Sequence, residues 1–166
     1  MKTLKNLFLV SSLVFVCAFG VSAQSMQSLS GGAVDIEKQR GKVVILAVGA
    51  KWLPLSGKQA EYTNALAKKY AGRNVAVYFV ATDSLTKARN MASNDDLAKF
   101  GTTNKLSVPI LRDPDGAFTL RRYSLDQIPA FVILDKNGQM SGEAFGGIDP
   151  KFDVTVPISK AVDRLL

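Results

Sequence analysis

Histidine is absent from this 166-residue chain, cysteine occurs once, at Cys17, and tryptophan once, at Trp52. Each scarcity removes a class of chemistry. A zinc centre of the usual kind lacks both its histidine and its cysteine ligands. A lone cysteine cannot close an internal disulfide, so the hydrophobic core must hold the fold. The apolar run Leu7–Phe19 is shorter than the roughly 20 residues of a comfortable bilayer span, and no stop-transfer charges follow it. Runs of one charge are also missing: Lys68-Lys69 and Arg121-Arg122 are only pairs, without interleaved aromatics. That pattern reads as a solvated surface and excludes a nucleic-acid platform.

What is present begins with a leader. Lys2 and Lys5, the apolar run and Val21-Ser22-Ala23 form the three parts of a signal peptide over residues 1–23. Bulky Val16 before Cys17 argues against a lipoprotein site. Cleavage after Ala23 removes the only cysteine and lowers the formal charge from +7 to +5. The expected product is periplasmic or secreted, without stable membrane insertion, and large enough for one domain with a real core.

Residues 24–32 are polar and rich in Gly and Ser, which predicts a flexible lead-in. A domain is expected over 33–166. Val34–Ile36 reads as a short edge strand, and Val43–Val48 as a strand buried on both faces. A helix is predicted over Ser56–Tyr70, with Ala60, Leu66 and Ala67 facing inward. Val75–Ala81 is a second buried strand. Asp83 or Ser84 is placed to cap a helix through Arg89, and Ser93 or Asn94 another through Phe100. A strand Val108–Arg112 meets the turn Asp113-Pro114-Asp115-Gly116, followed by a short helix Ala117–Tyr123. Strand Ala130–Leu134 then turns at Asp135-Lys136-Asn137-Gly138 into a partner strand Gln139–Phe145. A terminal helix is predicted from Val156 to Leu166 with Pro157 near its start.

Three segments together carry a resemblance. They are the apolar strand leading into Trp52-Leu53-Pro54-Leu55-Ser56, the stretch Leu106–Gly116, and Gln127-Ile128-Pro129 with its strand and Asp135–Gly138 turn. They resemble the thioredoxin-like superfamily, in its extracytoplasmic TlpA/ResA and AhpC/TSA redoxin branch. The resemblance implies an α/β fold: a three-layer α/β/α sandwich with a central mixed β-sheet and a helical insert over Leu85–Thr103. It places Leu53 where the nucleophilic cysteine stands and Ser56 where the resolving cysteine stands. It also makes Pro129 the family's cis-proline, and sets Ala47 near a position that often holds a buried acid.

Dithiol exchange needs a thiolate to attack sulfur and a second thiol to resolve the product. Leu53 and Ser56 supply neither, so both are degenerate positions and the mature chain is expected to have no catalytic residue of that kind. Thiol-disulfide oxidoreductase or peroxiredoxin-like antioxidant activity remains as an alternative by family membership, and a structural subunit of an envelope complex is a third reading. Ser56 with Lys58 is a weak serine-lysine pairing. Asp113, Asp115, Asp126 and Asp135 could suggest calcium, but turn chemistry explains Asp113, Asp115 and Asp135 more simply, and no metal or cofactor is expected. The groove beside the first helix does not need sulfur. Its expected rim is Trp52, Leu53, Pro54, Leu55, Ile128 and Pro129, apolar enough to take an extended peptide or an envelope protein by strand addition.

Overall fold

The computed structural model describes residues 25–166. The leader expected over 1–23, Cys17 included, lies outside the described residues.

Seven strands form one sheet in the order β2-β1-β5-β4-β3-β6-β7. Its centre is β3 (Val43–Gly49) and β4 (Val75–Ala81), paired in parallel, with β5 (Ile110–Arg112) parallel to β4. Antiparallel β6 (Ala130–Leu134) lies on the other side of β3, and β7 (Phe145–Gly146) closes that edge. All seven residues of β3 and all five of β6 are buried, because the sheet carries a core on each face. Alternation divides them. Val43, Ile45, Ala47, Phe131 and Ile133 enter one cluster, and Val44, Leu46, Val48, Val132 and Leu134 the other.

Helices α1 (Ser56–Lys69), α2 (Asn94–Thr103) and α4 (Thr155–Asp163) cover the first cluster through Tyr62, Leu66, Leu97, Ile158 and Val162. The short α3 (Thr119–Arg122) and its flanking residues Phe118 and Tyr123 cover the second. The result is the three-layer α/β/α sandwich with a mixed sheet, and α2 is the helix of the insert. Its capping box is complete: Ser93 Oγ accepts from the Asp96 N–H, and Asp96 accepts from the Ser93 N–H.

Three expectations need correction. The lead-in 24–32 contains β1 (Ser25–Ser28), which pairs with β2 (Ala33–Asp35) and with β5. Met26 is the reason, since its buried side chain joins the second cluster while its polar neighbours disguise the strand. The Gly-rich end is the hairpin turn, with Gly31 and Gly32 both at positive φ. No helix forms from Asp83 to Arg89. Ser84 Oγ does accept from the Thr86 and Lys87 N–H groups, but Ser84 also bridges to Met91, which turns the segment back on itself. The strand expected over Gln139–Phe145 is reduced to a bridge at Met140 and two residues of β7, because the chain bulges outward around Gly142, at φ +73°.

Tyr123 packs edge-on against Phe118, with ring centroids 5.9 Å apart. Burial pushes its phenol up to about 12. A tyrosine raised in this way ionises in the unfolded chain first, near 10. Stability is therefore expected to fall between pH 10 and 12, by on the order of 2–3 kcal/mol. Alkaline unfolding followed alongside tyrosinate absorbance checks this, and Tyr123→Phe should flatten the loss. An unchanged slope in that variant would remove Tyr123 as the cause.

Candidate functional site

The site forms where β3 ends and α1 begins, at the carboxyl ends of the parallel strands. After Gly49 the chain turns twice: the Leu53 N–H donates to Ala50 O at 3.2 Å, and the Ser56 N–H to Leu53 O at 3.1 Å. Ser56 Oγ donates back to Lys51 O, so its hydroxyl is engaged and only 7% of the residue is exposed. Lys58 Nζ is held by the Glu61 carboxylate at 2.9 Å, and that hydrogen bond raises its pKa, the opposite of what a base partner to Ser56 needs. The pairing of Ser56 with Lys58 is not made.

Two buried polar side chains fix this turn. Asp83 is fully buried just past β4, and its carboxylate oxygens accept the Lys51 N–H at 3.0 and 3.2 Å. Burial raises its pKa; the Lys51 N–H and the nearby Arg112 guanidinium act the other way. Arg112 is itself buried, which lowers its pKa, while Asp83 opposes that shift. Gln59, one turn into α1, is also fully buried. Its amide donates to Val48 O on β3 and to Ala130 O on β6, at 3.0 and 3.2 Å. The clamp therefore joins the helix to the strand that follows Pro129.

The Ile128–Pro129 bond is cis. Pro129 is buried and Ile128 half-buried against the second cluster. Trp52 is 47% exposed, Pro54 is exposed, and Leu53 and Leu55 are half-buried, Leu55 against the first cluster. Trp52 and Ile128 come together in a cavity of about 130 Å³, lined also by Thr82, Asn90, Asp115 and Leu120. The other four expected rim residues do not line it. The cavity is also more polar than expected, because Thr82 and Asn90 reach it from the segment after β4 and Asp115 from the turn after β5. Gln59 and Asp83 were equally hidden: a Gln in a polar helix and an Asp after a strand signal nothing about depth.

The remaining aspartates follow their turns. The Asp113 carboxylate accepts from the Phe118 and Thr119 N–H groups, Asp115 pairs with Lys87 at 3.0 Å, and Asp135 accepts from the Asn137 and Gln139 N–H groups. Ala47 lies in the first cluster between Phe79 and Phe131, with no acid in its place.

A model of the AhpC/TSA family matches residues 19–142. No curated protein matches the chain. Among solved structures, a DsbE-type thiol:disulfide interchange protein from Chlorobium tepidum superposes with a TM-score of 0.69 at 23% identity, covering 84% of this chain and 92% of that one. The exposed lipoprotein thioredoxin Etrx1 of Streptococcus pneumoniae gives 0.68 at 20%, covering 86% and 98%. A secreted Mycobacterium tuberculosis disulfide oxidoreductase homologous to E. coli DsbE gives 0.64 at 21%, covering 86% and 96%. At these identities the likeness establishes the thioredoxin-like fold.

Proposed function

We propose that this chain, which belongs to the AhpC/TSA family of thioredoxin-like redoxins, is an extracytoplasmic peptide- or protein-binding module without dithiol redox catalysis. The observation that carries the reading is a divergence within one site. The resemblance gives Leu53 and Ser56 the places of the two cysteines, whereas the turn into α1 is formed and Trp52 meets Ile128 in one cavity. Loss of sulfur removes exchange chemistry, but it leaves an exposed tryptophan beside a cavity that Ile128 also lines. The leader over 1–23 and the secreted or lipoprotein character of two structural neighbours favour an extracytoplasmic setting.

The rival reading is thiol-disulfide or peroxide chemistry, which the family and the neighbours favour. Insulin reduction and peroxide consumption by the protein lacking residues 1–23 separate the two, and turnover in either assay would overturn the proposal. For capture, Leu53→Asp is expected to weaken binding of an extended apolar peptide by at least about tenfold, at a stability cost of about 1 kcal/mol. Ile128→Asp is the less clean variant, because Ile128 packs on the second cluster. Fluorescence anisotropy and urea unfolding read the two effects; capture that survives Leu53→Asp places the interface elsewhere.

A further inference from the structure

A second cavity, of about 490 Å³, lies between the connection into β6 and the bulged segment before β7. Gln127 and Ala130, on either side of Ile128–Pro129, both line it, so an extended peptide laid along that segment passes both cavities. Its volume is in the range of about 300–1,000 Å³ typical of ligand sites.

The lining presents acceptors. Asp126 and Glu143 both reach it, and none of the seven ion pairs among the described residues uses either carboxylate. Two unpaired acids sharing one cavity stand out in a chain of net charge +7. Tyr123 lines the same cavity, is only 8% exposed, and its hydroxyl makes no hydrogen bond among the described residues. The Gln127 side chain lies against Gly146, where a Cβ would come within 2.7 Å of its amide nitrogen, so glycine there leaves room for the amide. A guanidinium suits this set best: it has five donors, no acceptor, and a planar fork that reaches two carboxylates at once.

We infer that this cavity receives a basic side chain, arginine above all, of the peptide held at Ile128–Pro129. The inference rests on the peptide-binding reading and gives that site a specificity. The probe is a labelled extended peptide with one arginine flanked by leucines, set against its citrulline twin, which has the same shape without the charge.

The arginine peptide is expected to bind about tenfold more tightly at low salt, with the advantage shrinking as salt is added. In Asp126→Asn with Glu143→Gln, two exposed changes, the twins should bind within about twofold of each other while the citrulline peptide keeps its affinity. Equal binding of both twins to the unaltered protein overturns the inference and leaves the groove standing. An arginine preference that persists in the double variant also overturns it. Binding of neither twin removes the groove reading itself, and the inference with it.

Discussion

Gly49→Ala is expected to lower stability by about 2–4 kcal/mol, although it adds a single methyl to a strand. A Cβ at Gly49 would collide with Gln59 Oε1. Gln59 cannot simply yield, because its amide is committed to Val48 O and Ala130 O. Displacing it strips a donor from two buried carbonyls, and Oε1 already has no partner among the described residues. Gln59→Ala opens the space that the methyl needs. Gly49→Ala should therefore cost clearly less in that background than in the unaltered protein, a coupling that a double-mutant cycle isolates. Urea unfolding reads all four proteins, and strictly additive losses would mean that the two residues do not interact. The effect should also reach the site, since the clamp ties α1 to the residue after Pro129.

Leu53→Cys combined with Ser56→Cys is expected to give a protein that reduces insulin about an order of magnitude faster than free dithiothreitol alone. The Ser56 N–H to Leu53 O bond already closes a turn over these positions. Such a turn brings Cα atoms within about 7 Å, near the span a disulfide requires. Position 53 lies just before the fourteen-residue α1, whose N-terminal field favours a thiolate there. Position 56 is shielded, as the resolving thiol of an exchange pair can be. Leu53→Cys alone should form mixed disulfides and stop. A folded double variant that oxidises internally yet never reduces insulin would show that the acceptor surface, and not only the sulfur, has changed.

The legible parts of this molecule are those whose signal is local and periodic. Val43–Gly49 and Ala130–Leu134 are continuous apolar runs because both faces of the sheet are covered, so two cores wrote one unbroken pattern. Ser93 announced α2 as a candidate cap, and its hydroxyl does accept from the Asp96 N–H three residues on. The segments that misled have local chemistry that serves a distant partner. Ser25–Ser28 is polar, and one buried methionine with pairing to β5 makes it a strand. Asp83 has the composition of a cap, yet its carboxylate turns inward to the Lys51 N–H, 32 residues away in sequence.

The sequence alone decided which reactive atoms Leu53 and Ser56 lack. With no histidine and one cysteine in a leader-like segment, dithiol chemistry at Leu53 and Ser56 is closed whatever the fold, because reactivity belongs to atoms. It also decided the layering, since burial of apolar runs is a property of composition and period. Only the tertiary structure decided where the site lies and what surrounds it. Trp52 meets Ile128 across a cavity that Thr82, Asn90 and Asp115 also line, Gln59 needs Gly49, and the Asp126 and Glu143 carboxylates, in no ion pair among the described residues, share a hollow with Gln127 and Ala130. Those relations join residues far apart in the chain, and distance through space is set by packing, which no local pattern encodes.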